Sequence, residues 1–132
     1  MKINSNNRAQ LLDDYLNMAR ANLVPYAKAL DLTLYLSEER DYVWKAAFTA
    51  LDFIDSMLYN SAGYALWRPY INSLIIPLYN NIGFEERPGD KHLQLYTRNI
   101  ALDWVCRFGN ADCLSKTRAA YAAWMKDPDN DE

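Results

Sequence analysis

Residues 41–58, DYVWKAAFTALDFIDSML, decide the fold class. Trp44, Ala47, Phe48, Leu51, Ile54, Met57 and Leu58 recur at intervals of three and four, a spacing that only a helix gathers onto one side. Asp41 stands where a helix N-cap is expected, because its carboxylate can accept from an unpaired amide of the first turn. One face is apolar and the other polar, so the segment reads as a helix that needs other helices to cover it.

Upstream, the same period runs over residues 6–21 through Leu11, Leu12, Tyr15, Leu16, Met18 and Ala19. Asn6 or Asn7 is the expected cap, and Asn22 breaks the pattern. A second helix is predicted over residues 25–36, with Pro25 in the first turn, where its missing N–H costs nothing. The charged link 37–41 follows. Downstream, residues 64–81 carry Leu66, Trp67, Tyr70, Leu74, Ile75, Leu78 and Tyr79, and Pro69 and Pro77 inside this stretch predict a kinked helix. Gly83 and residues 84–89 form the longest link. Asp90 is the expected cap of a fifth helix over 90–108, and Gly109, free of a Cβ, suits the left-handed position that closes it. Asn110 is placed to cap a sixth helix carrying Ala119, Ala120, Tyr121, Ala123 and Trp124, which Asp127 and Pro128 end. Residues 127–132 read as a frayed acidic tail. No segment combines sustained alternation with β-branched residues and a hairpin turn, so the fold class is all-α. About six helices with short links suit either a closed bundle or an open stack of helical hairpins.

Composition narrows the function classes. The 132 residues are 51% hydrophobic and 23% charged, the balance of a folded domain. A net charge of -3 with scattered basic residues gives no electrostatic footprint for nucleic acid. No apolar run reaches the roughly 18 to 20 residues that span a bilayer, so no direct membrane contact is expected of this segment. Met1 to Arg8 are polar where a signal peptide needs an apolar stretch, which places any export signal or anchor outside this sequence. No Asn-x-Ser/Thr acceptor occurs, so glycosylation is not expected.

Residues able to carry chemistry are few. His92 is the sole histidine, too little for a His-Glu-x-x-His zinc site or a Ser-His-Asp triad, and its ordinary place is the solvent-facing first turn of the fifth helix. Asp13 and Asp14 are adjacent, so they point about 100° apart and are badly placed to share a proton or metal. Asp52 and Asp55, three apart, do share a side of the third helix. With no second cluster to complete a site, a solvated or salt-bridged face is the expectation for them. Ten Tyr and four Trp fall mostly on the predicted apolar faces, where core packing accounts for them. Cys106 and Cys113 flank the Gly109 turn, so their side chains can meet across the hairpin. A bond closing so short a loop contributes about 2 to 3 kcal/mol on the chain-entropy model and belongs to an oxidising compartment. Spacing alone equally admits two buried free thiols in a cytosolic protein.

Several stretches together resemble the C-terminal helical-repeat domain of the aminopeptidase N family of zinc exopeptidases. They are Asn7-Arg8-Ala9-Gln10-Leu11-Leu12-Asp13-Asp14 with Ala19-Arg20-Ala21, then Ala29-Leu30-Asp31-Leu32-Thr33-Leu34-Tyr35-Leu36, leading to Trp44-Lys45-Ala46-Ala47. Pro77-Leu78-Tyr79 with Gly83-Phe84 follows, and Cys106 to Cys113 with Trp124-Met125 closes the series. Their order agrees over more than a hundred residues, with one departure: Val43 stands where the family pattern has Pro before the Trp. The resemblance is nearest to the secreted, membrane-anchored digestive members. It implies an α-solenoid of antiparallel helix pairs, similar to HEAT or armadillo repeats, and a partial domain over residues 1–126. It also implies that Cys106 and Cys113 are bonded, and that the protein works at the extracellular face of the plasma membrane or in the secretory pathway.

In that family a preceding thermolysin-like domain holds zinc through His-Glu-x-x-His and a distant Glu. A Gly-x-Met-Glu-Asn loop there grips the substrate amino terminus. None of these motifs occurs here, so no catalytic or metal-binding residue is carried over. The resemblance implies a non-catalytic segment that covers the first part of the helical domain. Its partners would be the catalytic domain of the same polypeptide and, in the full enzyme, peptide substrates, with access to the active site limited by the helical arch. The alternative is a free-standing helical-repeat module that binds a protein partner, and a His-Glu-x-x-His segment ahead of this sequence separates the two. Free thiols at Cys106 and Cys113 would instead favour an unrelated cytosolic bundle.

Overall fold

The computed structural model describes residues 3–39 and 43–128, and every element among them is helical. Helix α1 spans Ser5–Arg20, α2 Tyr26–Thr33, α3 Val43–Leu58, α4 Tyr64–Ile82, α5 His92–Arg107 and α6 Ala111–Trp124. A 3-10 turn, Leu34–Glu38, continues α2. The all-α expectation holds.

The helix ends correct several expectations. Asn4 caps α1, accepting from the Asn7 amide at 2.9 Å, so neither Asn6 nor Asn7 is the cap. Both lie inside the helix. Pro25 is itself the N-cap residue of α2, one position ahead of the predicted first turn. The last turn before Glu39 tightens to 3-10 pitch, an ordinary ending for a helix whose carbonyls lack successors. Helix α4 runs unbroken through Pro69 and Pro77. Lys91, rather than Asp90, occupies the N-cap of α5, and its amide is taken by the Gln94 carboxamide at 2.8 Å. The predicted Asp41 cap lies outside the described residues, as does the tail beyond Pro128.

Helix α1 packs most extensively on α3, and α4 packs on α5 and on the 3-10 turn. Smaller contacts join α1 to α2, α3 to α4, α3 to α5 and α5 to α6. Neighbours in sequence, together with helices two apart, make these contacts, and among the described residues α1 makes no substantial contact with α6. This pattern is compatible with a stack of hairpins. One continuous core runs through it, from Leu12 and Leu16 of α1, through Trp44 and Leu51 of α3, to Leu78 of α4 and Val105 of α5.

Aromatic rings thread that core. Trp44 lies 5.1 Å from Phe48, Phe48 4.7 Å from Trp104, and Trp104 5.5 Å from Phe108, centroid to centroid. Such pairs add about 0.5 to 1.5 kcal/mol each beyond their buried area, and here they join α3 to α5. Trp44 satisfies its indole N–H on the Glu39 carbonyl at 3.1 Å, while the Glu39 carboxylate receives Arg8 Nε at 2.8 Å and Nη2 at 3.2 Å. The start of α1 is thereby fastened to the end of the 3-10 turn. Tyr70 of α4 reaches α2, donating to the Leu30 carbonyl at 2.9 Å and contacting the Thr33 hydroxyl.

Three residues read from periodicity as core-facing sit at the edge of their stripe. Leu11 is 51%, Met57 67% and Leu66 79% exposed. Tyr121 and Trp124 of α6 are likewise solvent-facing.

Candidate functional site

The α5–α6 joint is built from backbone geometry first. Gly109 adopts φ +83°, the left-handed conformation expected of it. The Gly109 amide bonds the Cys106 carbonyl at 3.0 Å, and the Asn110 amide bonds the Val105 carbonyl at 3.1 Å, the pairing that closes a helix behind a left-handed residue. Asn110 then opens α6, its side chain accepting from the Cys113 amide at 3.0 Å as expected. These bonds set the cysteine Cα atoms 5.4 Å apart, and Cys106 and Cys113 form a disulfide. Cys113 is fully buried and Cys106 half-buried.

Helix α4 grips the same joint. Arg68 Nη2 donates to the Phe108 carbonyl at 3.1 Å, and the Tyr79 hydroxyl donates to Asp112 Oδ2 at 2.5 Å. Burial, followed by the bond to Asp112, pushes the Tyr79 phenol up to about 12. Lys116, at 2.8 Å, and then Tyr79 hold the Asp112 carboxyl below the usual carboxylate range.

The carboxylates singled out from the sequence are structural. Asp52 pairs with Arg107 Nη1 at 2.7 Å, and Asp55 Oδ2 lies 3.9 Å from the same nitrogen. Asp103 takes Arg107 Nη2 at 2.8 Å. Asp55 is buried and also accepts the Trp67 indole N–H at 2.9 Å, which joins α3 to α4. The salt-bridged face expected of Asp52 and Asp55 is what forms, and its exposed members contribute about 0 to 1 kcal/mol. Asp14 accepts from Gln10 at 3.0 Å on the surface of α1. His92 is exposed at the start of α5. Among the described residues, no group of three or more His, Cys, Asp or Glu is placed to hold a metal ion.

Two features escaped the sequence reading. Arg98, 2% exposed on α5, donates to the Ile82 carbonyl at 3.1 Å and pairs with Asp90 at 2.6 Å, tying α5 to the end of α4. The Arg87 amide, and then Arg98, hold the Asp90 carboxyl below its ordinary range, and this engagement is why Asp90 does not cap the helix. The second is a hollow of about 490 Å³ walled by Arg20, Tyr26, Leu30, Phe53, Met57 and Trp67 among others. Its walls come from four helices, so no local pattern announces it. The nearest signal was Met57, an apolar residue on helical period that the core does not cover.

Stacked helices around one core, with buried polar groups committed to the joints between them, define an all-helical scaffold domain. The chain belongs to the ERAP1-like C-terminal domain family, whose model matches residues 1–131. Among its relatives, aminopeptidase N of Plutella xylostella is 39% identical over 92% of this chain, and aminopeptidase N of Homo sapiens 32% identical over 94%. Glutamyl aminopeptidase of Rattus norvegicus is 30% identical over 96%. The chain spans about 13% of the length of each of these proteins.

Proposed function

We propose that this chain is a non-catalytic part of a zinc aminopeptidase that removes N-terminal residues from peptides, and that it helps to enclose the active site and limit access to it. The observation that carries the reading is the family match along 1–131 together with aminopeptidase relatives aligned over nearly the whole chain. Zinc belongs to the parent enzyme's catalytic domain. One histidine, and no metal-holding group among the described residues, do not fit a zinc site here. The catalytic domain of the same polypeptide is the partner. A helical roof over its cleft excludes water and bulky substrates and favours short peptides. Residues 1–126 form the domain portion, and the acidic residues 127–132 lie beyond it. The Cys106–Cys113 bond supports a location at the extracellular face of the plasma membrane or in the secretory pathway.

An antibody raised against the chain tests the reading in source tissue. The captured species should be several times larger than 15.3 kDa and should carry alanyl or leucyl aminopeptidase activity that a zinc chelator abolishes. A species of the chain's own size without activity overturns it and leaves a free-standing protein-binding module.

A further inference from the structure

The hollow between α1, α2, α3 and α4 has a polar end and an apolar end. At its apolar end Leu30, Met57, Leu58 and the buried ring of Trp67 line a space of about 490 Å³, within the range of about 300 to 1,000 Å³ that small-molecule sites occupy. A smaller recess of about 60 Å³ adjoins it and shares Arg20, Tyr26, Phe53 and Ile54, with Asn17 and Thr49 on its far wall. Polar groups therefore converge on one end only.

Arg20 stands where the two spaces meet. Its guanidinium lies 4.0 Å from the Phe53 ring centroid, and among the described residues it has no carboxylate partner. A guanidinium held over a ring by its face keeps N–H donors with which to receive a carboxylate. Asp55, the buried acid of α3, is engaged by the Trp67 indole and by Arg107. An unpaired cation at the mouth of an apolar hollow is complementary to a molecule with a hydrocarbon body and one negative end.

From this arrangement we infer that the hollow is a binding site for small apolar monocarboxylates, with the carboxylate on Arg20 beside Asn17 and Tyr26 and the hydrocarbon body against Met57, Leu30 and Trp67. Every group the site uses lies within this chain.

Octanoate and its uncharged counterpart octan-1-ol are the probes, titrated into the 132-residue chain while the Met57 methyl and Trp67 indole N–H resonances are followed. Octanoate should produce saturable shifts at both, and Arg20→Gln should weaken it roughly tenfold, the loss of one charge-assisted contact. Octan-1-ol should bind more weakly than octanoate and should not respond to Arg20→Gln. Met57→Trp, which fills the apolar end, should lower binding of both. Raising the salt concentration on the unaltered protein gives the same contrast without a variant, weakening octanoate and sparing octan-1-ol. Absence of saturable shifts with octanoate overturns the site. Equal binding of the two probes, or equal loss of both in Arg20→Gln, overturns the carboxylate assignment.

Discussion

The body formed by α1 to α5 and the final helix α6 are held by different physics. In the body, Leu12, Leu36, Ala47, Ile75, Leu78 and Val105 have no exposed surface, and its stability comes from apolar area withdrawn from water. In α6 only Cys113 is buried, while Tyr121 and Trp124 are 61% and 47% exposed and Met125, just past its end, is 55% exposed. That helix is attached at points: the disulfide, Tyr79 to Asp112, and Arg68 to the turn before it. Burial couples many residues into one cooperative unit, whereas point attachments orient an element without sharing the body's stability.

The largest effect should come from the body. Leu51→Ala, at a position 1% exposed, should cost about 2 to 5 kcal/mol in urea unfolding, and protection should fall further in the body than in α6, which opens by itself. A loss below about 1 kcal/mol would mean that the core collapses around the gap and is not the rigid partner in the contrast. Replacing both cysteines by serine removes about 2 to 3 kcal/mol on the chain-entropy model. Hydrogen exchange should accelerate more in α6 than in α3 and α4. Equal acceleration in α3 would erase the distinction between the regions.

A smaller effect depends on pH. Asp112 has a depressed folded pKa, so its contribution is complete above its unfolded value and is lost as pH falls through the folded one. Comparing Asp112→Asn with the unaltered protein by hydrogen exchange of α6 should show a deficit at neutral pH that closes below the ordinary carboxylate range. The Tyr79 phenol sets the alkaline limit of the same contact. With its pKa raised from 10.0 to about 12, the stability it adds is present below the lower value and lost between the two. The smallest effect is expected at Trp124→Ser, within about 0.5 kcal/mol by thermal unfolding of this chain, because the ring is half in water already.

Legibility in the sequence followed how local the cause was. Trp44, Phe48, Leu51 and Ile54 announce α3 because their spacing is a property of one helix, and the observed Val43–Leu58 confirms it. The Gly109 and Asn110 joint was equally readable, since both residues act within one turn of themselves. Caps failed where distant groups decided. Ser5, Asn6 and Asn7 offer oxygens as good as that of Asn4, but Arg8, bonded to the Ile3 carbonyl at 2.7 Å and to Glu39, fixes the first turn two or three positions earlier than expected. Asp90 has an ideal cap chemistry and is claimed by Arg98. The Asp52 and Asp55 pairing was visible as spacing, while its cation, Arg107, lies two helices away. Cys106 and Cys113 were legible as neighbours, and their bonding followed only from the resemblance. The hollow was invisible because Arg20, Leu30, Phe53 and Trp67 each read as ordinary members of their own helices.

Asn110 ends one helix with its amide and begins the next with its side chain, so the α5–α6 joint contains no spare residue. Adding or deleting one residue there would forfeit one of those two roles and turn α6 by about 100° about its axis, carrying Cys113 away from Cys106. The geometry of this joint therefore constrains its length as well as its composition. Insertions in related chains should collect instead in the connection at 83–91, whose slack Gly83 and Gly89 already provide.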